Sequence, residues 1–322
     1  MISRPYARAT WVLLAFLLGT VAWGAYVRAT GSGAGCGAHW PVCNGELVPR
    51  TPALATLIEF SHRVSSGLSL LAVAGWAVWG FVRFPPGHRV RRAAILGLGL
   101  MIVEALVGAG LVLLRLVGTD DSVRRALAMS LHLTNTFFLL AVVAVTGAWA
   151  GGLARPHLRG QGVVGVLLSA ALVGLLLLGI SGALAALGDT LFPARSLAEG
   201  FRQDFSTSAH VLLRLRLLHP ALAVTVAAVV VIAAALSALL RPGPPLRRAA
   251  ACAVGLLICQ LVAGVVNLAL LAPVWMQLVH LLLADAVWLA VVLLAAQALA
   301  ENAPRLAVPA VPQSERLPVR TR

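Results

Sequence analysis

The 322-residue sequence contains no lysine, only two tyrosines and only 11% charged residues, whereas 60% of its residues are hydrophobic. Soluble globular proteins have about 25% charged residues, so this composition excludes an ordinary soluble domain. The formal net charge is +14, but the arginines stand in short loops between apolar runs. No aromatic residues alternate with them to form a base-stacking surface. We therefore expect lipid around most of the chain and no nucleic-acid partner.

Eight apolar stretches are each long enough to cross a bilayer. The first follows Arg4 and Arg8 as a signal peptide would, but it is too long and lacks a clear small-residue cleavage site. We expect it to be retained. The sequence thus predicts an all-α integral membrane protein with eight transmembrane helices, at residues 10–28, 58–82, 93–116, 125–149, 162–187, 209–239, 247–271 and 274–299.

Arginine is concentrated in alternate loops, and most acids lie in the others. Because an excess of arginine marks cytoplasmic loops, we expect a multi-pass protein of the cell membrane with both termini in the cytoplasm. The 29–57 loop then faces outward, where Cys36 and Cys43 can form a disulfide. A reduced, inert pair is the alternative.

The chain also looks duplicated, because spans 1–4 and 5–8 have comparable lengths and similar motifs. Span 3 contains Glu104-Ala-Leu-Val-Gly108 and span 7 contains Gln260-Leu-Val-Ala-Gly264. We predict two tandem, pseudo-symmetric four-helix bundles in parallel orientation. They comprise residues 1–155 and 156–302, and a Pro- and Arg-rich tail, 303–322, is expected to be disordered in the cytoplasm.

Four of the eight histidines lie inside predicted spans, at similar depth in the outer half of the membrane: His62, His132, His219 and His280. The other four, His39, His88, His157 and His210, lie in loops or at a helix mouth. Ionisable groups at membrane depth are costly and tend to be functional. Two histidines from neighbouring helices can supply the axial ligands of a haem iron. Packing histidines without metal, or a zinc or copper site, are the alternatives.

The two predicted histidine pairs differ in their nearest charged residue. Glu59 precedes His62 by three residues and shares its helix face, whereas Arg216 precedes His219. An adjacent acid can move protons, so the first site is a candidate for chemistry and the second for electron transfer. A simple ion pair between Glu59 and Arg63, or an arginine of span 6, is the alternative. Arg63 and Arg216 are candidates for binding haem propionates, or else lipid headgroups.

Eight spans, a Cys-x6-Cys outer loop, Glu59-x-x-His62-Arg63 and single histidines in spans 4, 6 and 8 together resemble the haem A synthase family of cytochrome oxidase assembly. The resemblance covers the chain except its tail. It implies oxidation of the C8 methyl group of haem O to a formyl group, through successive hydroxylations and loss of water.

The resemblance also implies roles for the candidate residues. His62 and His132 would hold the substrate haem O, and His219 and His280 would ligate a haem b cofactor that relays electrons. Glu59 would be catalytic, and the Cys36–Cys43 loop would cover the substrate half. Some family members carry a second cysteine pair between spans 5 and 6, whereas residues 188–208 here contain no cysteine. A thiol role in the second half is therefore in doubt.

Two other functions are compatible with the pattern. A non-catalytic di-haem b-type cytochrome exchanging electrons with quinone would also need four histidines. A transporter with duplicated halves would need broken helices at mid-membrane, and these spans are largely uninterrupted. Expected partners of the enzyme are haem O synthase, an unidentified electron donor, membrane lipid and, as a homo-oligomer, further copies of the chain.

Overall fold

The computed structural model describes residues 1–301 and residue 303. Within that part of the chain the fold is all-helical, with nine α-helices and no β-strand. Eight of the helices are long and apolar enough to cross a membrane, which confirms the predicted class. The predicted disordered tail lies, apart from residue 303, outside the described residues.

The longest connection between helices is the outer loop of residues 30–53, and an additional short helix, α6, lies between the fifth and sixth long helices. The helices are α1 (Arg4–Ala29), α2 (Leu54–Arg83), α3 (Arg89–Leu113), α4 (Val123–Ala150), α5 (Gly162–Leu191), α6 (Leu197–Asp204), α7 (Val211–Leu240), α8 (Pro244–Ala269) and α9 (Val274–Ala298). Helix α6 was not predicted. Its first turn is capped by Ser196, whose hydroxyl accepts from the backbone N–H of Glu199 at 3.2 Å, an arrangement that stabilises a short helix start.

Two of the histidines outside the predicted spans begin helices. Nδ1 of His88 accepts from the N–H of Val90, and Nδ1 of His210 accepts from the N–H of Leu212, both at 3.3 Å. These imidazoles satisfy backbone donors that a helix start leaves free. His88 and His210 therefore have local structural roles at the starts of α3 and α7.

The two predicted halves meet along α1 and α4 on one side and α5 and α9 on the other. Near mid-membrane, the rings of Phe137 and Trp288 stack with centroids 5.0 Å apart, and the indole N–H donates to the Phe137 carbonyl at 2.8 Å. At the opposite end of α1 from the N-terminus, the Arg28 guanidinium reaches α5 and α9. It donates to the Ala186 carbonyl and Thr190 hydroxyl, both at 2.7 Å, and to the Gln277 amide oxygen at 2.8 Å. The pseudo-symmetry of the halves stays a prediction.

Candidate functional site

Each in-membrane histidine lies on an even-numbered membrane span and packs against a glycine of the preceding span. A Cβ added to the glycine would lie close to the imidazole Cε1: 2.8 Å for Gly24 and His62, 3.9 Å for Gly108 and His132, 3.0 Å for Gly182 and His219, and 3.1 Å for Gly264 and His280. Because glycine has no side chain, the ring can approach the neighbouring helix backbone. The same local arrangement therefore occurs at all four positions.

The assignment of His62 with His132, and of His219 with His280, as ligand pairs stays a prediction. Nδ1 of His62, His132 and His280 is buried without an aligned hydrogen bond. Nδ1 of His219 lies 2.9 Å from the Ser181 hydroxyl.

This arrangement fits haem better than the alternative metals considered. Haem iron needs two axial nitrogens from opposite sides, and each pair offers two imidazoles from separate helices. A protein zinc site needs three or four convergent ligands. Among the described residues, no group of three or more His, Cys, Asp or Glu side chains converges in that way.

Glu59 lies beneath the outer loop, and its side chain is 3% exposed. One carboxylate oxygen accepts from the Cys36 N–H at 2.7 Å, and the other from the Arg63 guanidinium at 2.5 and 3.2 Å. Arg63 also donates to the carbonyls of His39 and Val42, at 2.6 and 2.7 Å. Cys36 and Cys43 form the predicted disulfide. The ion pair considered from the sequence is therefore present, and it fastens the disulfide loop to α2 beside His62.

The second site also has an ion pair at its outer end, which the sequence analysis did not foresee. Arg216 donates to Asp189 at 2.8 Å and to Asp204 at 2.5 and 3.0 Å. The two carboxylates come from α5 and α6, so the spacing of residues along α7 did not indicate them. Arg63 and Arg216 already bind carboxylates of the protein, with which a propionate would compete.

Sequence reasoning gave Glu104 no role, although it lies beside a candidate ligand. Its Oε1 is 3.3 Å from Nδ1 of His132, and Asn135 donates to its Oε2 at 2.5 Å. In the second half, the amide nitrogen of Gln260 lies 3.3 Å from Nε2 of His280. The shared spacing of Glu104 and Gln260 to a following glycine was the available signal. No pattern in the sequence indicated Ser181, the residue beside His219.

Comparison with known proteins gives a family match over most of the chain. The family model for "Cytochrome oxidase assembly protein" (COX15-CtaA) matches residues 7–292. A protein of Thermus thermophilus named "Protoheme IX farnesyltransferase" is 51% identical over 296 residues, which are 92% of this chain and 49% of the relative. The chain thus spans about half the length of that relative, whose name denotes a different reaction from the one predicted.

Shorter matches reach proteins named "Heme A synthase". The one from Exiguobacterium sp. is 40% identical over 90 residues, and the one from Halalkalibacterium halodurans is 44% identical over 89 residues. Each match covers 28% of this chain and 30% of the relative. These relatives carry the predicted activity in their names.

Proposed function

Because this chain belongs to the cytochrome oxidase assembly protein family, we propose that it is a haem A synthase that oxidises the C8 methyl group of haem O to a formyl group. Two hydroxylations, each a two-electron oxidation that inserts one oxygen atom, convert the methyl group to a gem-diol, and loss of water gives the aldehyde. One observation carries the proposal. Four in-membrane histidines each pack against a glycine, in a chain related to proteins named heme A synthase.

In this proposal the two pairs have different occupants. His62 and His132 hold the substrate haem O, and His219 and His280 hold a haem b, which supplies one-electron transfer when bound. The support is the outer loop of the first half, because the Cys36–Cys43 disulfide and the buried Glu59 lie directly beside His62. Within the described residues, the equivalent region of the second half carries α6 and no disulfide.

Glu59 is the proposed catalytic acid of the first half. It lies one helical turn before His62, on the same face of α2. Its carboxylate lies between the Arg63 guanidinium and the Cys36 N–H, and these contacts fix its position near His62.

Farnesyl transfer to protohaem is a second candidate, because the Thermus relative carries that name. We assign that reaction to the half of the relative that this chain does not share. The family model covers residues 7–292 of this chain, whereas the match covers only 49% of the relative. The same comparison makes a haem O-producing farnesyltransferase the proposed partner.

The remaining proposals concern location and assembly. The protein is proposed to lie in the cell membrane with both termini in the cytoplasm, from the arginine distribution. With dioxygen as the oxidant, each hydroxylation places one oxygen atom in the substrate and reduces the other to water, which takes two electrons and two protons from a donor. An electron donor is therefore a proposed partner. A di-haem b-type cytochrome without catalysis is the alternative that the same histidines allow, and assembly into a homo-oligomer stays a prediction.

The proposal is tested by co-expressing the chain with a source of haem O and extracting the haem. Formyl-bearing haem A is expected. Recovery of only haem b and unchanged haem O from folded, haem-loaded protein would overturn the proposal and favour the cytochrome.

A second experiment tests Glu59. Glu59→Gln keeps an acceptor for the Cys36 N–H but removes the charge, so we expect loss of product with haem still bound. Glu46→Gln is the control, because Glu46 lies in the outer loop that covers Glu59 but is exposed and pairs with Arg50. Unchanged turnover of Glu59→Gln would remove this acid from the mechanism.

A further inference from the structure

Glu104 is a carboxyl group deep within α3, in a part of the chain that spans the membrane. Its side chain is 15% exposed. A carboxyl group is costly at that depth unless other groups bind it. Glu104 has no role in the proposed reaction, so the presence of a costly carboxyl group at this depth needs another explanation.

The partners of Glu104 all come from α4, and all lie within about one turn of His132. Asn135 donates to Oε2 at 2.5 Å, and the Thr136 hydroxyl donates to Oε1. Nδ1 of His132 is 3.3 Å from the same Oε1. Asn135 also donates to the Leu100 carbonyl at 2.9 Å, which fixes its amide orientation. Glu104 is thus held in place with one oxygen against the imidazole.

The ring of His132 has few other choices of partner. Its Nδ1 is buried and has no aligned hydrogen bond, and a Cβ added to Gly108 of α3 would lie 3.9 Å from Cε1. If Nε2 ligates iron, the proton of the neutral imidazole is on Nδ1. Oε1 of Glu104 is an acceptor close to that N–H, at 3.3 Å from Nδ1.

The other three histidines lack such a partner. Within the residues that the structure describes, His132 is the one in-membrane histidine with a carboxylate oxygen within 4 Å. His219 contacts the Ser181 hydroxyl and His280 contacts the Gln260 amide. Both oxygens of Glu59 are taken by the Cys36 N–H and by Arg63 rather than by His62.

From this asymmetry we propose that Glu104 is a positioning residue that accepts the Nδ1–H of His132 and makes this imidazole a stronger iron ligand than its counterpart His280. A carboxylate behind a ligating histidine fixes the ring and raises its basicity. A more basic ligand stabilises ferric over ferrous iron, so a haem in the first half has a lower reduction potential than the same haem with an amide behind its ligand. This inference rests on the proposed haem binding, not on the identity of the product.

The alternative explanation is that Glu104 has only a structural role, as a contact between two helices. In that case Glu104 only joins α3 to α4 through Asn135 and Thr136, and a glutamine would serve equally well. Yield and thermal stability do not separate the two roles. The reduction potential and the low-spin EPR g values do, because they respond to the strength of the axial ligand.

The experiment compares Glu104→Gln with the unchanged chain, both full-length and haem-loaded. The substitution replaces the carboxylate beside Nδ1 of His132 with an amide. Redox titration resolves the haem components, and His132→Ala identifies the first-half component by its loss. In Glu104→Gln we expect that component to be about tenfold easier to reduce, which is ~59 mV for one electron, with changed g values. The second-half component should not move.

An unchanged potential and EPR signal in haem-loaded Glu104→Gln would overturn the proposal. If Glu104→Gln yields no folded protein, Glu104→Asp decides, because it keeps the charge but shortens the reach to Nδ1 of His132, and an unmoved first-half component contradicts the idea. The outcomes are separate from those of the proposed function. A wild-type protein that binds two haems but makes no haem A ends the haem A synthase proposal and leaves this comparison intact.

Discussion

The two halves hold their histidines in the same way but differ in what surrounds the rings. In both, a glycine of the preceding span lets the imidazole approach the helix backbone. In the first half a disulfide loop, Glu59 and Glu104 lie beside the pair. In the second half the neighbours of the rings are Ser181 and Gln260, and the ion pair of Arg216 lies towards the outer end. The comparison teaches that a glycine faces each ring in both halves, whereas, among the described residues, His132 is the in-membrane histidine with a carboxylate oxygen within 4 Å.

The glycine contacts give the largest predicted effect. Gly24→Ala places a Cβ 2.8 Å from the His62 ring, whereas Gly108→Ala places one 3.9 Å from His132. The first is too close for any real contact and must displace the ring, and the second is ordinary van der Waals contact. We expect Gly24→Ala to lose the first-half haem, about half of the total, and Gly108→Ala to retain it. Pyridine haemochrome analysis measures this, and equal haem content in both variants would show that the close approach of the His62 ring to Gly24 is not needed for haem binding.

The disulfide loop should contribute the next largest effect. Cys36 and Cys43 are separated by seven residues, and chain-entropy arguments give about 2.5 kcal/mol for so short a loop. We expect Cys43→Ser to lower the melting temperature in detergent and to reduce product formation, while the haem of the second half stays bound. If the second-half haem is lost as well, the loop does not act on the first half alone.

The ion pair of the second half should matter somewhat less. Arg216→Gln leaves the largely buried carboxylates of Asp189 and Asp204 without their cation, and we expect a destabilisation of about 2 kcal/mol. Arg214→Gln is the matched control, because Arg214 lies in the same turn and donates only to the Thr207 carbonyl. Thermal unfolding in detergent compares the two variants. Equal melting temperatures would show that the ion pair does not fasten α6.

The smallest predicted effect is at Ser181. Ser181→Ala removes the hydroxyl that lies 2.9 Å from Nδ1 of His219. A neutral hydrogen bond contributes about 1 kcal/mol, so we expect haem retention with slightly lower stability. Loss of the second-half haem, measured by absorption spectroscopy, would mean that the hydroxyl is essential for holding the ring.

Much of the fold was predictable, because lipid selects long apolar helices and hydropathy measures that directly. The first and last residues of the helices were less predictable. The first span was predicted from residue 10, but α1 begins at Arg4, since Tyr6 is fully buried and its ring stacks on Trp76 with centroids 6.0 Å apart. An average over a window of residues does not detect a contact made with another helix. Helix α6 is eight residues long and polar, and so lacks a hydropathy signal.

At the candidate site, the sequence placed the histidines and the disulfide, because each depends on position along a span or on compartment. It did not place the partners of Arg216, since Asp189 and Asp204 become neighbours only when α5, α6 and α7 pack together. For the same reason Glu104 was given no role until the structure showed α3 packed against α4 beside His132. The missed residues act through contacts between helices, which spacing along one helix does not contain.

The central claim is that the first pair holds substrate haem and the second holds haem b. It is tested most directly by identifying the haem that remains in single-ligand variants expressed with a haem O source. His132→Ala is predicted to retain haem b alone, and His280→Ala to retain haem O or its oxidised products without haem b. Recovery of the same mixture of haems from both variants would contradict the account.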